Sequence, residues 1–123
     1  DRLDRLGFPV LYATDDGTRG RRGYVSDLLH VLDPKPELIL ACGPTPMLRA
    51  TARVAEQLAV PAQLSLEEHF GCGVGACWGC VVPIDRASAQ AYATPKAAGE
   101  TREYAFARVC KEGPVFWAHD LRW

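Results

Sequence analysis

The chain has 123 residues and a net charge of −1, and its composition is 48% hydrophobic and 24% charged. These values are typical of a globular protein with one domain or two small ones. The balanced charge gives no support for binding to nucleic acids or anionic membranes, and no apolar run has the ~20 residues of a membrane span.

The N-terminal part of the chain begins with a strand pattern and a helix pattern. An apolar run at residues 8–13 predicts a buried strand, which ends in the turn of residues 14–17. Residues 24–32 then have the spacing of a helix. The residues that share one face of this predicted helix are Val25, Leu28, Leu29 and Leu32.

A second unit of the same kind follows. Residues 38–42 predict a buried strand, Thr45 is suited to be the N-cap of a helix with Pro46 at its first position, and residues 62–66 predict another strand. The apolar positions of that helix are Met47, Ala50, Val54 and Leu58. Alternating strands and helices imply parallel pairing, so residues 1–67 are predicted to form half of an open α/β sheet.

Residues 68–123 have a different character. Short β patterns occur at residues 81–84, 104–109 and 115–117. They predict a small antiparallel sheet that supports the cysteine loop, which is the segment of residues 71–80. Residues 85–103 are rich in alanine and polar residues and have no apolar face, which predicts a long, flexible insertion. The sequence therefore predicts two domains, residues 1–67 and residues 68–123.

Four cysteines are the most informative feature of the chain. Cys72, Cys77 and Cys80 have the spacing C-x4-C-x2-C, and Cys110 follows far downstream. This is the spacing of plant-type ferredoxins, in which four thiolates hold a 2Fe–2S cluster. Glycines in the loop let the backbone approach the inorganic sulfides and direct N–H groups at an anionic core. Side chains would obstruct that approach at Gly73, Gly75 and Gly79.

The residues alone leave two other uses of these cysteines open. A structural zinc site usually has paired C-x2-C knuckles, and here a single knuckle runs from Cys77 to Cys80. Disulfides are typical of secreted proteins, and no signal peptide is recognised at the start of the chain. We therefore expect an iron–sulfur protein of the cytoplasm, with Cys42 as the cysteine that binds no metal.

The ends of the predicted strands suggest a nucleotide site. In open α/β sheets, ligands bind at the carboxyl ends of the strands, and a helix N-terminus there can face an anionic group. The candidate residues at these ends are Thr14, Asp15 and Gly17, then Cys42, Gly43, Pro44 and Met47. Plain turns are the alternative, because glycine, proline and aspartate are common in turns and no G-x-G-x-x-G follows a strand.

Several segments together make the chain resemble a known family. They are residues 15–17 with 23–27, residues 41–48 (ACGPTPML), residues 65–68, the cysteine loop and residues 109–116 (VCKEGPVF). The chain resembles the electron-transfer subunits of dihydroorotate dehydrogenase B, which are similar to ferredoxin–NADP reductases. The cysteine loop and VCKEGPVF are specific to the family, whereas ACGPTPML is shared more widely. The resemblance extends nearly end to end, except for residues 85–103.

The resemblance implies an oxidoreductase subunit of pyrimidine biosynthesis, and we expect no catalytic residue in this chain. Electrons would pass between the FMN of a separate catalytic subunit and NAD, through a 2Fe–2S cluster and FAD, in a heterotetramer. Residues 1–67 would be the second half of a ferredoxin reductase-like NAD-binding α/β domain, and residues 68–123 would be the 2Fe–2S domain. The four cysteines of the loop and of VCKEGPVF would be the cluster ligands. Cys42, Gly43 and Pro44 would lie beside the nicotinamide and the flavin.

The chain also departs from the family. The FAD-binding barrel and the glycine-rich phosphate loop have no counterpart, so we expect a C-terminal fragment that is inactive alone, without FAD and with little affinity for NAD. His69-Phe70 stand where the family usually has Arg-Met, and the separation of Cys80 from Cys110 exceeds the usual one. A related hydrogenase gamma-type reductase subunit, a stand-alone iron–sulfur carrier and a non-catalytic zinc module stay open as alternatives.

Overall fold

The structure, a computed structural model, describes Leu3, Arg5 and residues 7–92 and 102–123. The chain forms two compact units, Asp1–Pro36 and Glu37–Trp123. The predicted domain boundary after residue 67 falls inside the second unit, because the last strand of the chain pairs with a strand that precedes this residue. None of the helices in the described ranges has the length and hydrophobicity needed to cross a membrane.

The first unit contains two short strands. β1 (Ala13–Thr14) and β2 (Arg21–Arg22) pair in parallel, with Ala13 opposite Arg21. The prediction of a buried strand at residues 8–13 is wrong, since only the last of these residues lies in a strand and Phe8 is 74% exposed. An apolar run indicates burial only where a neighbouring element covers it, and a single-sequence pattern does not show that neighbour.

The helix predicted at residues 24–32 forms as a 3-10 helix at Val25–Val31. The predicted apolar face is not buried as a unit: Leu28 is buried, whereas Val25 and Leu32 are exposed. A 3-10 helix has three residues per turn, so positions selected for the α-helical repeat do not stay on one side of it.

The second unit starts with a parallel pair of strands joined by a helix, as predicted. β3 (Ile39–Cys42) pairs with β4 (Ala62–Ser65), and α1 (Thr45–Leu58) connects them. The N-cap of α1 is Pro44, so the helix begins one residue earlier than predicted. Its buried residues are Leu48, Thr51, Val54 and Ala55, of which only Val54 belongs to the predicted stripe.

The second half of this unit contains three more strands. β5 (Val81–Asp85) and β6 (Tyr104–Arg108) form the predicted antiparallel pair. β7 (Val115–Trp117) was expected to join them, and this prediction is wrong, because β7 pairs antiparallel with β4. Leu64 of β4 lies opposite Phe116 of β7, and both side chains are fully buried. The second unit thus has a mixed three-stranded sheet and a separate two-stranded sheet.

The first part of the predicted flexible insertion is folded. A 3-10 helix spans Ala87–Gln90, and Ala89 within it is 1% exposed. The hydroxyls of Ser88 and Tyr92 both donate to the carboxylate of Asp120, and the Tyr92 ring centroid lies 5.1 Å from that of Phe116. The expectation that this stretch buries nothing is therefore wrong for residues 87–92. Residues 93–101, which the same prediction covers, lie outside the described residues.

Candidate metal centre

The pairing of β5 with β6 brings together the two segments that carry the cysteines. Cys80 directly precedes β5, and Cys110 follows the end of β6 by two residues. Val81 lies opposite Arg108 in the register, and the Val109 N–H donates to the Cys80 carbonyl at 3.0 Å. The Cys110 N–H donates to Cys80 Sγ at 3.4 Å. The strand register thus places the third cysteine of the loop beside the distant fourth one.

The other two cysteines meet within the loop itself. Cys72 Sγ accepts the N–H groups of Ala76 at 3.2 Å and of Cys77 at 3.4 Å, and Cys77 Sγ accepts the Gly79 N–H at 3.4 Å. The hydrogen bond from the Cys77 N–H is the largest cause that lowers the pKa of Cys72 to about 6. The thiolate is the form of cysteine that binds metals, so the fold of the loop favours the form of Cys72 that a metal site would need.

The four thiols form two contacting pairs. Cys72 is hydrogen-bonded to Cys77, and Cys110 is hydrogen-bonded to Cys80, a contact that, together with burial, raises the pKa of Cys110. Two pairs of thiols match the donor set of a 2Fe–2S cluster, which takes four thiolates on two irons. Within the described ranges, no group of three or more His, Cys, Asp or Glu side chains is placed to hold a single metal ion.

Three residues of the loop have backbone conformations in the left-handed region. Gly75 has a φ of +80°, and a Cβ there would lie 2.7 Å from Lys111 Cδ. Gly73 has a φ of +68° and open space around it, so its conformation and not its surroundings requires glycine. Trp78 adopts a φ of +58° with a full side chain. Non-glycine residues in this region are strained and concentrate at functional sites.

Arg108 is a buried part of the site that the sequence analysis missed. Its Nε and Nη2 atoms donate to the two carboxylate oxygens of Glu112, at 3.0 and 2.6 Å, and its Nη1 donates to the Gly75 carbonyl at 2.7 Å. The guanidinium also lies 4.7 Å from the centre of the Trp78 ring. The spacing of the cysteines does not predict a role for Arg108. A basic residue just before Cys110, with an acidic one four positions later, was the available signal.

Four of the predicted nucleotide-contacting residues lie together at the end of β3 and the start of α1. Gly43 has a φ of +154°, and a Cβ there would lie 2.8 Å from Met47 Cε. Pro44 caps α1, and Cys42 Sγ donates to Glu67 Oε1 at 3.8 Å. Cys42 also lines a cavity of about 290 Å³ with side chains of β3, β4 and β7. The end of β3 is thus the closely packed strand–helix turn that the sequence predicted, and its binding of a nucleotide stays a prediction.

The other three predicted nucleotide-contacting residues lie in the first unit. The Gly17 N–H donates to the Thr14 carbonyl at 3.2 Å, and Gly17 has a φ of +77°. The Thr14 hydroxyl donates to the Arg19 carbonyl at 3.2 Å, and Asp15 is exposed. These residues form a hydrogen-bonded turn after β1, and their contact with a nucleotide stays a prediction.

Comparison with known families gives a match for the part of the chain that contains the four cysteines. Residues 67–122 match the family described as the iron–sulfur cluster binding domain of dihydroorotate dehydrogenase B. The match includes all four cysteines and begins at residue 67, next to the predicted domain boundary. The resemblance found from the sequence motifs is thereby confirmed.

Curated relatives extend the similarity to nearly the whole chain. The chain is 32% identical to the electron transfer subunit of dihydroorotate dehydrogenase B (NAD(+)) from Caldanaerobacter subterraneus, over 98% of this chain and 43% of that protein. It is 35% identical to the probable counterpart from Methanothermobacter thermautotrophicus, over 98% of this chain and 38% of that protein. It is 39% identical to the electron transfer subunit of dihydroorotate dehydrogenase B (NAD(+)) from Bacillus caldolyticus, over 89% of this chain and 36% of that protein. The chain thus spans less than half the length of these relatives.

A solved structure shows a similar fold. The whole chain superposes on 38% of a chain of the NADH-dependent reduced ferredoxin–NADP oxidoreductase, with a TM-score of 0.71 and 23% sequence identity. The fold of the present chain is therefore similar to that of this reductase. The described residues form one mixed sheet, two two-stranded sheets and few helices, and the β3–α1–β4 unit is the part of the expected α/β arrangement that is present.

Proposed function

We propose that this chain binds a 2Fe–2S cluster through Cys72, Cys77, Cys80 and Cys110. The observation that supports the proposal is the arrangement of the four thiols in two contacting pairs, where the cysteine loop meets the segment after β6. The same residues lie in the segment that matches an iron–sulfur cluster binding domain. Four thiolates are the usual ligand set of such a cluster.

The residues around the thiols fit this cluster. Each of the N–H groups of Ala76, Cys77, Gly79 and Cys110 donates to one of the ligand sulfurs. Hydrogen bonds to the sulfurs and the degree of burial are the means by which a protein sets the reduction potential of a cluster. When bound, the cluster supplies one-electron transfer.

The site has an open side and a closed side. Cys72 and Cys77 are exposed, Cys80 is 3% exposed and Cys110 is intermediate. The pair formed by Cys72 and Cys77 therefore faces away from the core, whereas Cys80 lies against β5 and β6. We infer that electrons enter or leave on the open side, because the protein that separates the cluster from a redox partner is thinnest there.

In the complete subunit, we infer that the chain relays electrons between the FMN of a dihydroorotate dehydrogenase catalytic subunit and NAD, through the cluster and FAD. The names of the curated relatives support the NAD-linked electron-transfer role, and the family resemblance implies the flavins, a heterotetramer and the cytoplasm. The proposed nucleotide-contacting residues are Thr14, Asp15, Gly17, Cys42, Gly43, Pro44 and Met47.

Metal and spectroscopic analysis of anaerobically purified protein tests the cluster. We expect a brown protein with iron and acid-labile sulfide in equal amounts and with an EPR signal after reduction. Serine in place of any one ligand cysteine should bleach or destabilise the cluster, because a thiolate is lost. Cys42→Ser is the matched control and should leave the spectrum unchanged. A colourless, folded protein with stoichiometric zinc would refute the proposal, and loss of iron in the Cys42 variant would show that the ligand set is wrong.

The physiological role needs the complete subunit and its catalytic partner. With both present, dihydroorotate should reduce NAD, and omission of the electron-transfer subunit should abolish that rate. Serine in place of Cys77 in the complete subunit should also abolish it, because the relay is interrupted. An NAD-linked rate that does not depend on the subunit would exclude the dihydroorotate assignment.

A further inference from the structure

We propose that Arg108 is a positioning residue of the cluster site, which directs the Ala76 N–H at the Cys72 sulfur through a single peptide group. Glu112 holds the Arg108 side chain in the orientation that this requires. The effect on a cluster rests on the proposed function, whereas the effect on the loop is a property of the folded chain without metal.

One planar peptide group connects Arg108 to a ligand sulfur. Arg108 Nη1 donates to the Gly75 carbonyl at 2.7 Å, and the N–H of the same peptide, that of Ala76, donates to Cys72 Sγ at 3.2 Å. Because the peptide is planar and trans, the orientation of its carbonyl fixes the opposite direction of its N–H. A hydrogen bond accepted by the carbonyl also polarises the amide and strengthens the bond that its N–H donates.

The guanidinium is held from three sides. Glu112 accepts from Nε and Nη2, the Gly75 carbonyl accepts from Nη1, and the guanidinium carbon lies over the ring of Trp78. Gly75 and Trp78 belong to the loop, whereas Arg108 and Glu112 flank Cys110. Arg108 therefore fastens the loop with the first three cysteines to the segment that carries the fourth. A lysine cannot reproduce these contacts, since it lacks the planar fork of donors.

Burial separates this ion pair from ordinary surface pairs. The side chains of Arg108 and Glu112 are only 10% and 6% exposed. The ion pair of Arg122 with Asp85 has similar contact distances, but its side chains are 49% and 34% exposed. Exposed pairs contribute little, whereas removal of one partner from a buried pair is strongly unfavourable. Arg122 is thus a matched control for the loss of a guanidinium in the same unit.

The first test compares Arg108→Lys with Arg122→Lys in the cluster-loaded chain. Arg108→Lys keeps the charge but loses the fork, so the Ala76 N–H is no longer fixed on the sulfur. We expect a lower reduction potential, an altered EPR signal and loss of iron to a chelator about 10-fold faster, the lower end of the 10- to 100-fold effects of residues that orient metal ligands. Arg122→Lys should behave like the unchanged chain. Unaltered potential and iron loss in Arg108→Lys would overturn the proposal.

The second test needs no cluster. Hydrogen exchange of the metal-free chain should show faster exchange in residues 72–80 for Arg108→Lys, and a smaller change of the same kind for Glu112→Gln, which keeps the side-chain volume. Far-UV circular dichroism of both variants should match that of the unchanged chain. Unaltered hydrogen exchange in the loop of Arg108→Lys would overturn the positioning role, whether or not the unchanged chain binds a cluster in the first test. Failure of the unchanged chain to bind iron would contradict the proposed function, and the exchange result would still decide on Arg108.

Discussion

Gly113→Ala should destabilise the segment that carries Cys110. A Cβ at this position would meet the Phe116 ring at Cε2 and, at 2.8 Å, at Cζ, and it would lie 2.9 Å from the Val109 carbonyl oxygen. Phe116 is 1% exposed and packs against Tyr92, so the ring has no free space into which it can move. The added methyl group must therefore displace a buried ring and a piece of backbone.

The magnitude follows from two opposing effects. Overpacking of a buried site typically costs about 1–3 kcal/mol. Replacing glycine by alanine also restricts the unfolded chain, which stabilises the folded state by about 0.4–1 kcal/mol. We therefore expect the free energy of unfolding to fall by about 1–2 kcal/mol in urea titrations.

A double-mutant cycle with Phe116→Leu tests the cause. Leucine lacks the distal ring atoms that the alanine would contact, so Gly113→Ala should cost less in the Phe116→Leu background than alone. The coupling should be at least about 0.5 kcal/mol, as for residues in direct contact. Additive effects, or a Gly113→Ala variant as stable as the unchanged chain, would refute the steric argument.

The remaining predictions concern the hydroxyl of Tyr92 and the thiol of Cys72. Tyr92→Phe removes the donor that binds Asp120 at 2.6 Å and should lower the free energy of unfolding by about 1–3 kcal/mol in urea. The control Tyr104→Phe, on the exposed side of β6, should change the free energy of unfolding by less than about 0.5 kcal/mol. Equal losses in the two variants would contradict this prediction. Burial and the hydrogen bond to Asp120 raise the pKa of Tyr92 from 10 to about 12, so the folded chain keeps this proton at a pH where the unfolded chain loses it. The resulting stability is complete below pH 10 and disappears as the pH rises to about 12, and Tyr92→Phe should abolish this part of the pH profile. In the metal-free chain at pH 7, Cys72, with a pKa of about 6, should react with iodoacetamide faster than Cys42 when each site is followed by peptide mass spectrometry; equal rates would contradict the hydrogen-bonded thiolate.

The local parts of the structure could be predicted from the sequence. The apolar runs at residues 38–42 and 62–66 and the helix that starts beside Pro44 lie where the patterns placed them. The β5–β6 pair was also recognised, and it brings Cys80 to Cys110. Each of these features depends on residues close in the sequence or on a motif with a fixed spacing, and such signals are contained in a single sequence.

The features that were missed depend on partners distant in the sequence. β7 has the strand pattern expected, but nothing in residues 115–117 indicates that β4 is its neighbour. The 3-10 helix at Ala87–Gln90 is stabilised by Asp120, more than 25 residues away, so its own polar composition suggested flexibility. From the sequence alone, Arg108 would be taken for an ordinary surface residue. Its contact with the cysteine loop depends on the register of β6 with β5.

The pairing of β7 with β4 limits how this region can be exchanged between related proteins. A chimera joined at residue 67 would take its last strand from one parent and the strand opposite, residues 62–65, from the other. Phe116 of the incoming segment would then have to pack against whichever side chain the other parent has in place of Leu64. Transfer of the cluster segment between related proteins therefore requires a matching β4, or compensating changes at Leu64 and Phe116.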